Sequence, residues 1–201
     1  MLLDVEASQL VLVDYQTRLM VAMVDQAAVQ ANAVRLARLA ALMQVPVFAT
    51  EQNPSRLGGS FDALAAALHD ARSRTLAKMQ FSAVEEGLSE WLRPEPKPVQ
   101  GNARSLPRHL QKAAPSRDSI VLAGCEAHVC LLQTALDLLE DEFDVWVVTD
   151  ACASRTERNR DAAFDRLAGA GAELVTTEMV AFEWLRSAEH PEFKAMQALI
   201  K

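Results

Sequence analysis

Three residues of this chain combine chemically: the carboxylate of Asp14, the ammonium of Lys78 and the thiol of Cys130. A carboxylate can take a thiol proton, an ammonium can hold the charges that appear in turn, and the sulfur can attack. Cys130 lies in the most informative stretch, IVLAGCEAHVCLLQTALDLL, from Ile120 to Leu139. Ile120, Val121, Leu122 and Ala123 read as a buried strand bounded by Gly124. Val129, Leu132, Leu136 and Leu139 then recur at helical spacing, which predicts Cys130 in the first turn of a helix. Unpaired N–H groups and the positive end of the helix dipole there favour thiolate over thiol. The sequence thus predicts an activated sulfur.

The elements that must position these groups alternate. Strands are predicted at Gln9–Asp14, Val45–Ala49, Ser73–Leu76, Ile120–Ala123, Val145–Thr149 and Glu173–Thr176. Helices are predicted at Ala27–Gln44, Phe61–His69, Val84–Leu92, Leu106–Ala113 and Glu157–Ala170, with C-terminal helices from Met179 and from Glu192. The prolines at Pro94–Pro98 read as a surface connector. Short apolar strands alternating with amphipathic helices predict a three-layer α/β/α sandwich around a mainly parallel sheet, in one domain over residues 1–201. Ligands of such sheets bind beyond the carboxyl ends of the strands. That rule brings Asp14, Thr50–Asn53, Lys78, Cys130, Asp150 and Cys152 to one rim. Gln16, Gln52, Asn53 and Phe81 are candidates there for orienting a small-molecule substrate.

Composition narrows the function classes. With 20 Lys+Arg against 27 Asp+Glu, the net charge is -7, and no basic stripe is interleaved with aromatics, which argues against nucleic acid as a partner. The first residues lack the basic segment and cleavage site of a signal peptide, and no apolar run approaches the roughly 20 residues that span a bilayer. A soluble, cytoplasmic protein with no membrane contact is expected. Cys125, Cys130 and Cys152 are an odd, sparse set without zinc spacing, so each is treated as free.

The motifs LVLVDYQ, TEQNPSRLG, KMQFSAV and AGCEAHVCLLQTALDLL, in this order, resemble the isochorismatase-like cysteine hydrolases. Within them the chain is most similar to the isochorismatase domain-containing subgroup, through EAHVC, DACASR (Asp150–Arg155) and HPEFKAMQALIK. The resemblance runs from about Gln9 to the last residue. It implies the fold of that family and a catalytic triad of Asp14, Lys78 and Cys130. Asp14 would act as base and then acid, Lys78 would stabilise charge, and Cys130 would form a thioester with a small amide-like or ester-like substrate. It also implies a cis peptide at Cys125–Glu126 and an oxyanion hole made by the backbone N–H groups of Glu126 and Cys130. Metal-dependent nicotinamidases of the superfamily carry Asp-x-His where this chain has Thr50, Glu51, Gln52 and Asn53, so no metal and no other cofactor is expected. True isochorismatases generally lack the cysteine, which argues against that activity.

Other readings stand beside this one. A degenerate member could keep the fold as an oligomeric binding or scaffolding protein. A flavodoxin-like nucleotide binder is disfavoured by seven glycines and no G-x-G-x-x-G or P-loop. Cys125, close to His128, is a rival nucleophile. The resemblance implies a homo-oligomer, for which Phe193, Met196, Leu199 and Ile200 could supply a contact face, with docking onto the same subunit as the alternative.

Overall fold

The computed structural model describes residues 1–94 and 117–201. Six strands form one all-parallel sheet: β1 (Ser8–Val13), β2 (Val47–Gln52), β3 (Arg74–Lys78), β4 (Ser119–Gly124), β5 (Asp144–Val148) and β6 (Glu173–Val175). Their order is β3-β2-β1-β4-β5-β6. The helices are α1 (Thr17–Met20), α2 (Gln26–Leu42), α3 (Pro54–Leu57), α4 (Asp62–Asp70), α5 (Leu88–Leu92), α6 (Leu132–Glu140), α7 (Glu157–Gly169), α8 (Thr177–Leu185) and α9 (Phe193–Ile200). Helix α2 packs with α4, α8 and α9, and α6 packs with α7, giving the expected three-layer α/β/α arrangement.

Every residue of β1 is buried, and β4 is buried from Ile120 to Gly124. That is why both read as unbroken apolar runs rather than as alternating ones. Strand order reverses about β1, which pairs with β2 on one side and β4 on the other. The crevice between the ends of β1 and β4 is therefore the topological switch point, where such sheets hold ligands. Its geometry is set by Gly124: a Cβ there would stand 2.4 Å from the Val13 carbonyl oxygen and 2.5 Å from Val13 Cβ. No side chain fits between Gly124 and the residue preceding Asp14.

Several expectations are corrected. β2 and β3 extend further than predicted, because Thr50, Glu51 and Gln52, and likewise Ala77 and Lys78, still pair across the sheet. The expected helix Val84–Leu92 is a 3₁₀ turn at Val84–Glu86 followed by α5, broken at Gly87 with φ 89°. A left-handed residue cannot continue a right-handed helix. On α6 the buried residues are Leu132, Thr134, Ala135 and Leu138, whereas Leu136 and Leu139 are half-buried. The predicted helix Leu106–Ala113 and most of the Pro94–Pro98 connector lie outside the described residues. Met196 is fully buried, and Phe193, Leu199 and Ile200 pack against the core, so the apolar face of α9 docks on its own subunit.

Gly124→Ala should destabilise the protein by roughly 1–3 kcal/mol through overpacking. Gly169→Ala, where an added Cβ meets nothing within 4 Å, should be neutral or stabilising by up to about 1 kcal/mol. Urea denaturation of the two variants checks this. Equal stability of both would refute the constraint at Gly124.

Candidate active site

Three strand ends deliver the acid and the base. In a pleated strand alternate residues share a face, so Thr50 and Gln52 of β2 point the same way. Gln52 is the register partner of Lys78 on β3, and Thr50 of Val13 on β1. The chain leaves β1 at Asp14 with φ 55°, in the left-handed region that Asp tolerates better than most residues. Its carboxylate meets the ends of β2 and β3, where the Thr50 hydroxyl donates to Oδ1 at 2.6 Å. The Lys78 ammonium stands 2.8 Å from Oδ2, and both charged side chains are completely buried.

Lys78 satisfies its remaining donor capacity on Gln52 Oε1 at 2.7 Å and on the carbonyl oxygens of Phe81 at 2.9 Å and Gln80 at 3.3 Å. The segment after β3 is held for this purpose. Glu86 accepts from the backbone N–H of Met79 at 2.9 Å and of Gln80 at 3.1 Å. Those two N–H groups, Met79 first, hold the Glu86 carboxyl below the usual carboxylate range. Ala83 N–H donates to Thr134 Oγ1 at 3.0 Å, tying this segment to α6.

The sulfur arrives from the other side of the switch point. After β4 the Cys125–Glu126 peptide is cis, and a π-helical turn, Ala127–Leu131, runs into α6. Within it Val129 N–H and Leu131 N–H both reach the Glu126 carbonyl, at 3.0 and 3.3 Å. The π-turn is the local departure that the heptad-like spacing of the leucines concealed; such turns are frequent at functional sites. Cys130 Sγ lies 3.9 Å from Gln52 Oε1 and interacts with the side chains of both Asp14 and Lys78. The N–H of Glu126 donates to no described residue.

The expected activated sulfur is corrected here. Burial pushes the Cys130 thiol up to about 12; the Asp14 charge adds to this and Lys78 opposes it. A helix N-terminus offers only about 0.3–1 kcal/mol to an anion, less than the several kcal/mol lost when an ion leaves water. The resting group is a thiol beside a carboxylate.

The remaining predicted residues separate. Gln16 is buried and its amide is spent on backbone: Oε1 accepts from Gln52 N–H, and Nε2 donates to the Gln52 and Gly58 carbonyls. Gln52 turns Oε1 to Lys78 and the sulfur, and its Nε2 donates to the Met79 carbonyl at 2.8 Å. Asn53 accepts from Ser55 Oγ at the start of α3. The Phe81 ring is 52% exposed. Cys125 packs its sulfur 3.6 Å from Met20 Sδ, while His128 turns to Ser154 Oγ at 2.9 Å and to Asn159; the Cys125–His128 pair is not formed. Asp150 accepts from the N–H and hydroxyl of Thr177 at the start of α8, and Cys152 is buried. Thr50 was placed on the rim by the sequence but given no role there; its spacing of two from Gln52 was the available signal for its contact with Asp14.

Cys130 is only 5% exposed. A cavity of about 680 Å³, lined by Glu51, Ser60, His69, Arg72 and Thr75 among others, lies elsewhere, since Glu51 alternates with Thr50 and Gln52 and points across the sheet. Among the described residues no group of three or more His, Cys, Asp or Glu is placed to hold a metal ion, and no helix is long and apolar enough to cross a membrane.

Comparison with known proteins gives a consistent picture. The family model of the isochorismatase domain matches residues 8–97 and 103–179. A secreted isochorismatase effector, Isc1, of Phytophthora sojae is 39% identical over 163 residues, covering 81% of this chain and 69% of its own length. Isochorismatase domain-containing protein 2 of Rattus norvegicus is 33% identical over 196 residues, covering 98% and 82%. Among solved structures, the MAR1 ribonuclease of Caenorhabditis elegans has a TM-score of 0.85 at 28% identity, over 100% of this chain and 92% of that one. The Escherichia coli YcaC protein, described as an octameric hydrolase of unknown specificity, shares the fold with a TM-score of 0.78 at 24% identity, over 98% and 95%.

Two outcomes follow from the site's electrostatics. Lys78→Met strands a buried carboxylate and should cost about 3–5 kcal/mol at neutral pH. Urea denaturation at pH 7 measures this; a loss well under about 1 kcal/mol would contradict the pair. Burial also holds Cys152 up at about 12 and raises Cys125 and Tyr15 well above their ordinary values. Unfolded thiols ionise near 8.5, so this stabilisation is complete below that pH and is lost as pH climbs toward the folded value. From pH 9 to 11 stability should fall by roughly 1.4 kcal/mol per pH unit for each such thiol, and Cys152→Ala should show a correspondingly shallower decline.

Proposed function

This chain belongs to the isochorismatase family of hydrolases, and from that premise we propose that it is a metal-independent cysteine hydrolase of a small amide-like or ester-like carbonyl compound, with Asp14, Lys78 and Cys130 as its catalytic triad. The observation that carries this reading is the fully buried Asp14–Lys78 pair at 2.8 Å, with the Cys130 sulfur 3.9 Å from the Gln52 oxygen that Lys78 also holds. A buried ion pair is weak support for stability on its own account. Beside a thiol in a strand-end crevice it supplies a base and a charge buffer.

In the proposed cycle the Asp14 carboxylate takes the proton from Cys130 Sγ, and the thiolate attacks the substrate carbonyl carbon. The N–H groups of Glu126 and Cys130 receive the oxyanion. Asp14 returns the proton to the departing nitrogen or oxygen, leaving a thioester on Cys130. Water, deprotonated by Asp14, then attacks the thioester, and the sulfur leaves and regains its proton. Lys78 remains cationic throughout and balances whichever neighbour carries the negative charge. The exposed Phe81 ring and the Asn53 side chain are the proposed contacts for the substrate. Net charge -7 disfavours a polyanion, the substrate class of the C. elegans ribonuclease. Three free cysteines support a reducing, cytoplasmic setting, and the octameric E. coli protein of the same fold supports a homo-oligomer. A catalytically silent scaffold is the competing reading.

Mass spectrometry after brief incubation with a panel of amides and esters tests both. An acyl adduct is expected on the peptide bearing Cys130 and on neither Cys125 nor Cys152, with none in Cys130→Ala and slower formation in Asp14→Asn by about 10²–10⁴. Hydrolysis that persists in Cys130→Ala would refute the mechanism.

A further inference from the structure

The carboxylate of Asp14 is asymmetric. Its Oδ1 accepts the Thr50 hydroxyl at 2.6 Å, whereas Oδ2, completely buried, faces the Lys78 ammonium at 2.8 Å. Thr50 is itself buried, and its backbone carbonyl accepts from Asp14 N–H at 3.1 Å, so the residue grips Asp14 at both main chain and side chain. A hydroxyl has one proton to donate, and here it goes to Oδ1. A hydrogen bond to a carboxylate favours its ionised form and fixes its orientation.

Resting on the reading of Asp14 as the base for Cys130, we infer that Thr50 is a positioning residue for proton transfer: its hydroxyl on Oδ1, with the Lys78 ammonium on Oδ2, fixes the carboxylate that receives the thiol proton. In the transfer the Sγ–H bond breaks, its electron pair stays on sulfur, and an O–H bond forms on Asp14, with no change in net charge. The titratable groups facing Asp14 are Lys78 from the end of β3, Cys130 from the π-turn and Cys125 after β4. Thr50 adds no charge to this set. It sets how the carboxylate is oriented and how tightly it holds a proton.

The test is the pH profile of Cys130 alkylation by iodoacetamide in the intact protein, read by peptide mass spectrometry, with Cys125 and Cys152 as internal controls. In this reaction thiolate displaces iodide, and the proton held by Asp14 passes to solvent. Wild type should show a level region near neutral pH and an acid limb where the carboxylate is protonated from solvent. Thr50→Val, isosteric but without the hydroxyl, should move the acid limb upward by about one to two pH units, as expected for losing one hydrogen bond to a charged group. Thr50→Ser should restore it. An acid limb that Asp14→Asn removes but Thr50→Val leaves in place would overturn the role of Thr50 alone. A profile that Asp14→Asn does not alter would overturn the assignment of Asp14 as base, and Thr50 with it. Thr50→Ala serves as a second variant. Failure of both Val and Ala variants to fold, with the Ser variant folded by circular dichroism, would show the hydroxyl to be a folding requirement and would also overturn the proposal.

Discussion

Everything at the switch point is arranged around one buried ion pair. Asp14 and Lys78 come from strands that are not neighbours, with β2 between them, and their charges meet at 2.8 Å, both side chains fully buried. Such a pair repays its desolvation only when further hydrogen bonds satisfy both partners. Thr50 supplies one to the carboxylate, and Gln52 with the Phe81 carbonyl supplies two to the ammonium. Both side-chain partners come from β2, at alternate positions on one face. The middle strand therefore carries the clamps, and the outer two carry the charges.

The other half of the crevice must come close enough to use that pair. Gly124 lets β4 approach Val13 to a distance that no other residue allows, and the π-turn after it carries Cys130 to Gln52, Asp14 and Lys78. Burial keeps the thiol protonated at rest. A thiol held neutral beside a carboxylate is a different starting point from a free thiolate at a helix end. On the proposed mechanism, the proton to be moved is stored at the site beside its acceptor.

The layers, the strand count and the parallel order were legible because unbroken apolar runs alternating with amphipathic helices leave few other ways to bury both. The ends of β2 and β3 were not, since Thr50, Glu51, Gln52 and Lys78 are polar and look like loop until their pairing is seen. The same polarity concealed the role of Thr50, a common residue with no chemical signature of its own. Of the two readings left open for the apolar face of α9, docking on the same subunit is the one seen, with Met196 in the core and Phe193, Leu199 and Ile200 packed half-buried against it.

From the amino-acid order alone came the elements, the rim on which Asp14, Lys78 and Cys130 would gather, and the motifs that resemble one hydrolase family, because these depend on local pattern and on general rules of sheet construction. Only the tertiary structure decided the burial that pushes the Cys130 thiol up, the pairing of Asp14 with Thr50 on one oxygen and Lys78 on the other, and the withdrawal of Gln16 and His128 into the scaffold. Those depend on distances of a few tenths of an ångström and on how much water remains, quantities that arise only when segments remote in sequence are packed together.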